Sequence, residues 1–148
     1  MKLAGSTTLP ARRSAVWALL TDPAKLARLL PGCEELVPEG PDRYRVKVKF
    51  GIAAISGNYS GSVELRDQKP PESLHMKVQG KGTPGFMNGA GQITLLEKHG
   101  QTEVRYEGEA QVGGLIASVG QRMIEAAAKK IVQQFFAAAA REVESGTG

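Results

Sequence analysis

The sequence is poor in the residues on which covalent and metal chemistry depends. It has two histidines and one cysteine, Cys33, which excludes an internal disulfide and a cysteine-rich zinc site. A single cysteine fits a reducing compartment, so the sequence predicts a cytoplasmic location. No apolar run approaches the roughly 18 residues that a membrane-spanning helix needs. The N-terminus also lacks the apolar core of a signal peptide.

Charge of one sign does not dominate either. The chain has 19 Lys and Arg against 15 Asp and Glu, with no block of five or six like charges. This pattern does not indicate a nucleic-acid-binding protein. A length of 148 residues with 41% hydrophobic and 23% charged residues is typical of one soluble globular domain, and we expect it to span residues 1–148.

Alternating residues dominate the middle of the chain. In 43–50, Tyr44, Val46, Val48 and Phe50 alternate with basic residues, as in a strand with one buried face. Similar segments follow at short intervals up to residue 112, which predicts an antiparallel meander covered on one side. A short strand at 2–9 precedes them. Two short helices come between, the second starting at the Asp22-Pro23 cap.

The C-terminal segment supplies the cover for this sheet. Residues 114–144 contain no proline and carry apolar residues at steps of three and four, which predicts one helix of about 30 residues. Its apolar stripe is Ile116, Val119, Met123, Ala127, Ile131, Phe135 and Ala138. The predicted fold class is α+β. A curved antiparallel sheet of six or seven strands surrounds the long C-terminal helix, and two short helices follow the first strand.

No set of residues predicts catalysis or metal binding. His75 falls on the polar face of a strand and His99 in a hairpin turn. The stretch Gly80–Gly85 spells GxGxxG, but a strand follows it where a dinucleotide-binding loop requires a helix. Cys33 is interpreted as a small buried residue. We therefore expect no enzyme activity, no metal and no tightly bound cofactor.

Glycine is abundant, at 18 residues, whereas aromatic residues make up 5%. Counting by twos places Gly57, Gly61, Gly80 and Gly108 on the inner face, with Gly89 and Gly91 in the same phase. Glycines can let the sheet curl tightly, or they can leave room for a ligand, and we expect both. A leucine at Gly61 or Gly108 is then expected to fill the cavity while leaving the protein folded.

The predicted cavity is apolar, with tyrosine hydroxyls as its regular polar groups. Such a lining suits a hydrophobic small molecule and offers no charge for a phosphate or carboxylate. For each single residue, packing in the core remains the alternative. The residues expected to line the cavity are Trp17, Leu26, Leu30, Tyr44, Val46, Tyr59, Gly61, Val63, Met76, Phe86, Val104, Tyr106, Gly108, Ile116, Val119 and Met123.

Several separated motifs carry a family resemblance. They include LLPGC at 29–33, YRVKVKFG at 44–51, VGGLIASVGQRMI at 112–124 and the pair Phe135-Phe136. In order and spacing they resemble the carbon monoxide dehydrogenase G-subunit (CoxG) family, part of the START-like (SRPBCC) helix-grip superfamily. The resemblance covers nearly the full chain.

The resemblance implies a non-catalytic accessory protein of a molybdenum hydroxylase of the carbon monoxide dehydrogenase type. Some members bind quinone in the pocket, and the family is thought to help attach the enzyme to the cytoplasmic membrane. A hydrophobic ligand such as quinone, peripheral contact with the inner face of that membrane and no nucleic acid are thus expected. The alternatives are a recruitment or assembly protein without ligand, and a helix-grip cyclase or hydratase-like enzyme. The enzyme is disfavoured because the inward residues include no His, Asp, Glu or Lys.

The sequence departs from this family in two places. Some members extend into a membrane-anchoring tail, whereas this sequence ends at Gly148, so attachment through such a tail is not expected. The stretch Phe50–Gly57 is more apolar than is usual there. It is expected to form an apolar lip at the cavity mouth or a buried turn.

Overall fold

The structure, a computed structural model, describes residues 1–52 and 55–145. Within these residues, the elements given with full bounds are seven strands, three α-helices and a 3-10 helix. In chain order they are β1 (Lys2–Leu9), α1 (Arg13–Thr21), α2 (Pro23–Leu29), β2 (Cys33–Pro38), β3 (Arg43–Phe50), β4 (Gly57–Lys69), β5 (Ser73–Gly82), β6 (Gly85–Lys98), β7 (Gln101–Gly113), the 3-10 helix (Leu115–Val119) and α3 (Gln121–Ser145).

The strands form one antiparallel sheet in the order β1-β7-β6-β5-β4-β3-β2. Strands β2 to β7 follow as a meander, and β1 pairs with β7 from Lys2 opposite Glu109 to Leu9 opposite Thr102. This α+β arrangement, with a curved sheet and a long C-terminal helix, confirms the predicted helix-grip fold class.

The period-two pattern matches the burial of the strands. In β3, Tyr44 and Val46 are buried, whereas Arg43, Arg45 and Lys47 are exposed. The main core forms where the inner face meets the apolar sides of α1 and α2. Its fully buried members include Leu9, Val16, Leu26, Leu29, Val63, Leu74, Leu95 and Val104.

The predicted start of α2 is also present. The Asp22 carboxylate accepts hydrogen bonds from the backbone N–H groups of Ala24, at 2.9 Å, and Lys25, at 3.4 Å. Pro23 occupies the first helical position, where its missing N–H costs nothing. Both short helices therefore form where the sequence predicts them.

The C-terminal helix is shorter than predicted, because glycines interrupt it. Gly114 and Gly120 have φ angles of 83° and 99°, a left-handed region that ends a helical run. Residues 115–119 form a separate 3-10 helix, and α3 contains 25 residues.

This break changes the phase of the apolar stripe. Ile124 is 6% exposed, whereas Met123 is 52% and Val119 is 44% exposed. Ile116, Ala127 and Ala138 are buried as predicted. Two residues of the stripe, Val119 and Met123, therefore lie on the surface.

A second, smaller core lies at the end of the sheet where α3 begins. Its buried members are Ile55, Tyr59, Ile116, Ile124 and Ala127, with Phe50 and Ile52 packed against them. These contacts favour the buried turn over the apolar lip for the described part of Phe50–Gly57. Residues 53 and 54 of that stretch lie outside the described residues.

Candidate functional site

A cavity of about 290 Å³ lies between the inner face of the sheet and α3. Its walls come from β1, from β3 to β7, from the end of α2 and from the middle of α3. The apolar side chains around it are Leu3, Leu30, Pro31, Val46, Val48, Phe50, Tyr59, Val63, Met76, Val78, Met87, Ile93, Tyr106, Ala110, Ile131, Val132, Phe135 and Phe136. Glycines complete the surface where side chains are missing, at 61, 80, 89, 91 and 108.

Half of the residues predicted to line a cavity surround it. These are Leu30, Val46, Tyr59, Gly61, Val63, Met76, Tyr106 and Gly108. They come from the end of α2 and from four strands, so the curvature of the sheet brings them together.

The other half lie elsewhere. Leu26, Tyr44 and Val104 are buried in the main core, and Trp17 packs against it. Ile116 is buried in the second core. Phe86, Val119 and Met123 are exposed at 43%, 44% and 52%. Phe86 lies on the outer face because the odd-numbered residues of β6, including Met87 and Ile93, face inward.

The sequence also contains cavity residues that were not singled out. Ile131, Val132, Phe135 and Phe136 of α3 form the wall opposite the sheet. Ile131 and Phe135 belong to the apolar stripe predicted for the helix, so the periodicity of the sequence already indicated that they face inward. Periodicity reports that a residue is buried, however, and does not report whether it meets another side chain or a cavity.

The inward glycines serve two different purposes. Gly61 pairs with Gly80, but a Cβ at Gly61 would collide with the backbone carbonyl oxygen of Gln79. A Cβ at Gly80 would lie 3.5 Å from Met87 Cγ, in ordinary contact. Gly61 is therefore required by the close approach of two strands, and Gly80 leaves open space.

The same division separates Gly108 from Gly89. A Cβ at Gly108 would collide with the carbonyl oxygen of Ala90, whereas one at Gly89 would lie 3.6 Å from that of Glu109. The expectation that leucine at Gly61 or Gly108 leaves the protein folded is therefore wrong. Gly57 does not border the cavity; it has a φ of 144° and packs against Pro84.

The two cavity tyrosines have different hydroxyl environments. Tyr59 Oη donates a hydrogen bond of 2.9 Å to the carbonyl oxygen of Ile55, and burial raises the pKa of Tyr59. The Tyr106 ring stacks on Phe136 with centroids 5.2 Å apart. The same ring lies over Gly5, because a Cβ added at Gly5 would be 2.5 Å from Tyr106 Oη. Within the described residues, the Tyr106 hydroxyl has no hydrogen-bond partner.

Acidic and basic side chains are directed away from the cavity. Glu107 and Glu109 border it through their strand, but their side chains are exposed on the outer face. In the described ranges 1–52 and 55–145, no group of three His, Cys, Asp or Glu residues is arranged to hold a metal. The cavity can thus enclose an apolar molecule, and the Tyr106 hydroxyl lies over Gly5 of β1, which does not line it.

Within the described part of the chain, no helix has both the length and the hydropathy needed to cross a membrane.

Comparison with known proteins agrees with this geometry. The sequence profile of the carbon monoxide dehydrogenase G-subunit (CoxG) family matches residues 5–144. A conserved protein from Geobacillus kaustophilus with a known crystal structure is 36% identical, with a TM-score of 0.94 over 97% of this chain and 95% of that one. A START superfamily protein from Mycobacterium smegmatis is 14% identical, with a TM-score of 0.78 over 99% of both chains, a likeness of fold alone. No curated protein matches the sequence.

Proposed function

Because this chain belongs to the carbon monoxide dehydrogenase G-subunit (CoxG) family, we propose that it is a non-catalytic accessory protein that carries a quinone in its cavity. Its enzyme partner is a molybdenum hydroxylase of the carbon monoxide dehydrogenase type. The observation that supports this proposal is the apolar cavity bordered by the rings of Tyr106, Phe135 and Phe136.

The size and lining of the cavity support a ring-shaped apolar ligand. A volume of about 290 Å³ lies just below the usual range for ligand pockets, about 300–1,000 Å³, so it suits a small ligand. Tyr106, Phe135 and Phe136 present stacked and edge-on rings, against which a flat conjugated ligand packs well. A quinone adds carbonyl oxygens that can accept a hydrogen bond from a tyrosine hydroxyl.

A carrier role is favoured over catalysis. General acid–base catalysis requires a titratable group within hydrogen-bond reach of the reacting atoms, and the side chains around the cavity are apolar apart from the tyrosines. The proposal therefore includes no reaction at this site and no tightly bound cofactor. Delivery of a membrane quinone to its partner would place the protein at the inner face of the cytoplasmic membrane.

The test compares two leucine substitutions on adjacent residues of β6. Gly89→Leu directs a side chain into the cavity from a position where a Cβ fits, and Ala90→Leu adds the same side chain to the outer face. Binding of menadione, a small naphthoquinone, is measured by calorimetric titration. We expect wild type and Ala90→Leu to bind equally and Gly89→Leu to bind at least about tenfold more weakly, since filling the site removes ligand contacts.

Two results would contradict this proposal. Equal binding by all three proteins would place the quinone outside the cavity. No binding by the wild type would favour a recruitment protein without ligand. Cooperative unfolding of Gly89→Leu is the control that it remains folded.

A further inference from the structure

The outer face of the sheet carries an ordered row of charges. Cross-strand pairing aligns Glu64 of β4, Lys77 of β5, Ala90 of β6, Glu109 of β7 and Lys2 of β1. Their side chains point outward, because the alternate residues of these strands face the cavity and the cores. Read from β4 to β1, the row is negative, positive, neutral, negative and positive. Each charge therefore lies as far from β6 as a charge of the opposite sign on the other side.

The next row repeats this arrangement. It aligns His75 of β5, Gln92 of β6 and Glu107 of β7. Two strand spacings, about 9–10 Å in all, separate β5 from β7, so these side chains are not direct neighbours within the sheet. None of Lys77, Glu107 and Glu109 forms an ion pair with another described residue.

The strand at the middle of this pattern has no charge on its outer face. Residues 85–96 of β6 contain no Asp, Glu, Lys or Arg. Asn88, Ala90 and Gln92 are exposed there, and Ala90 is small enough to let a second surface come close. Protein interfaces are depleted of charge at their centre and carry it at their rim. The outer face has this arrangement, with β6 as the centre.

We propose that two copies of this chain pack outer face against outer face, with a two-fold axis along β6. That rotation places β5 of each copy opposite β7 of the other, at the same level along the strands. Lys77 then faces Glu109 of the second copy, and His75 faces Glu107 of the second copy. Packed sheets lie about 10 Å apart, a gap that extended lysine and glutamate side chains bridge. The symmetry forms each of these contacts twice.

The pattern favours a second copy over a different protein. Reversal of sign about one strand is what self-recognition through a two-fold axis requires, and a different partner would not require it. Strands β4, β5, β6, β7 and β1 cover at most about 650 Å² over the eight residues of β1, against about 800 Å² per partner in a standard interface. We therefore expect a weak, reversible dimer. The cavity and α3 lie on the other face of the sheet, so this inference is independent of the proposed cargo.

The test is sedimentation velocity of the full chain over a concentration series that reaches the millimolar range. Lys77→Glu and Glu109→Lys each place like charges across the axis, and the two substitutions together restore opposite charges. Lys129→Glu, on the exposed side of α3, is the control with the same change of charge. We expect wild type and Lys129→Glu to form a species of twice the 15.7 kDa of one chain. Each single variant should dimerise about tenfold or more weakly, and the double variant should recover.

Recovery in the double variant separates a contact between copies from an effect within one chain. Within a chain, Lys77 neighbours Glu64 and Glu109 neighbours Lys2, and both neighbouring pairs would still carry like charges in the double variant. Cooperative unfolding in urea is the control that every variant remains folded. A wild type that stays monomeric throughout the series would overturn the proposal. A dimer that the single variants leave unchanged, or that the double variant fails to restore, would overturn it as well.

Discussion

At the scale of a single residue, the paired glycines Gly61 and Gly80 show that the neighbouring atoms decide the role of an inward glycine. Both lie on the inner face, at paired positions in β4 and β5. The backbone of β5 fills the place of a side chain at Gly61, whereas Gly80 borders open space near Met87 and Tyr59. One glycine therefore maintains the sheet, and the other contributes to the cavity.

The pair allows a direct test of this difference. We expect Gly61→Ala to lower the free energy of unfolding by about 3 kcal/mol or more, because its Cβ would collide with backbone that cannot move without disturbing the sheet. Gly80→Ala is expected to change it by less than about 1 kcal/mol, since no strain is added and the unfolded chain loses entropy. Urea unfolding measures both, and similar losses in the two variants would refute the distinction.

At the scale of an element, α3 depends on the glycine that precedes it. Gly120, with a φ of 99°, separates the 3-10 helix from α3 and resets the phase of the apolar residues. Ile124 consequently packs inward, and its neighbour Met123 projects outward. The helix then supplies a wall of the cavity through Phe135 and Phe136, and it leaves Met123 exposed at the surface.

This phase predicts different costs for two adjacent truncations. Ile124→Ala is expected to destabilise the protein by about 2–4 kcal/mol, as truncation of a buried aliphatic residue does. Met123→Ala is expected to cost less than about 0.5 kcal/mol because the side chain is exposed. Thermal or chemical unfolding of both variants decides the matter. A loss of stability that is larger for Met123→Ala than for Ile124→Ala would show that Met123 is the buried residue. That result would support the uninterrupted helix predicted for residues 114–144.

At the scale of the whole molecule, two cores share one sheet and each holds a buried tyrosine. Tyr44 lies in the main core and Tyr59 in the second. Burial raises the pKa of Tyr44, and Asp42 and Asp22 raise it further. Burial also raises the pKa of Tyr59 from its ordinary value of 10.0. Both hydroxyls therefore stay protonated in the folded state over a pH range in which the unfolded chain ionises.

The stability of the whole protein should follow from this linkage. Below pH 10 the tyrosines are neutral in both states, and their contribution is fully present. As the pH rises past 10, the unfolded state releases protons first, so the free energy of unfolding falls. We expect the double variant Tyr44→Phe with Tyr59→Phe to show a shallower fall between pH 9 and 11 in urea titrations. Identical slopes for both proteins would contradict this account.

The sequence by itself determined the features that depend on near neighbours along the chain. Alternation identified the inner face of β3, the Asp22-Pro23 cap located α2, and the phase of the glycines identified positions that lack an inward side chain. Separated motifs such as LLPGC were sufficient to recognise the family.

The tertiary structure alone decided which inward residues meet a cavity and which meet one another. Tyr44 and Val104 have the same alternating pattern as Val46 and Val63, and all four belong to the main core, yet only Val46 and Val63 also border the cavity. Periodicity records only the side of an element on which a residue lies. The distance to the opposite layer depends on the curvature of the sheet and on the phase of α3 after Gly120, and both arise from contacts between segments far apart in the chain.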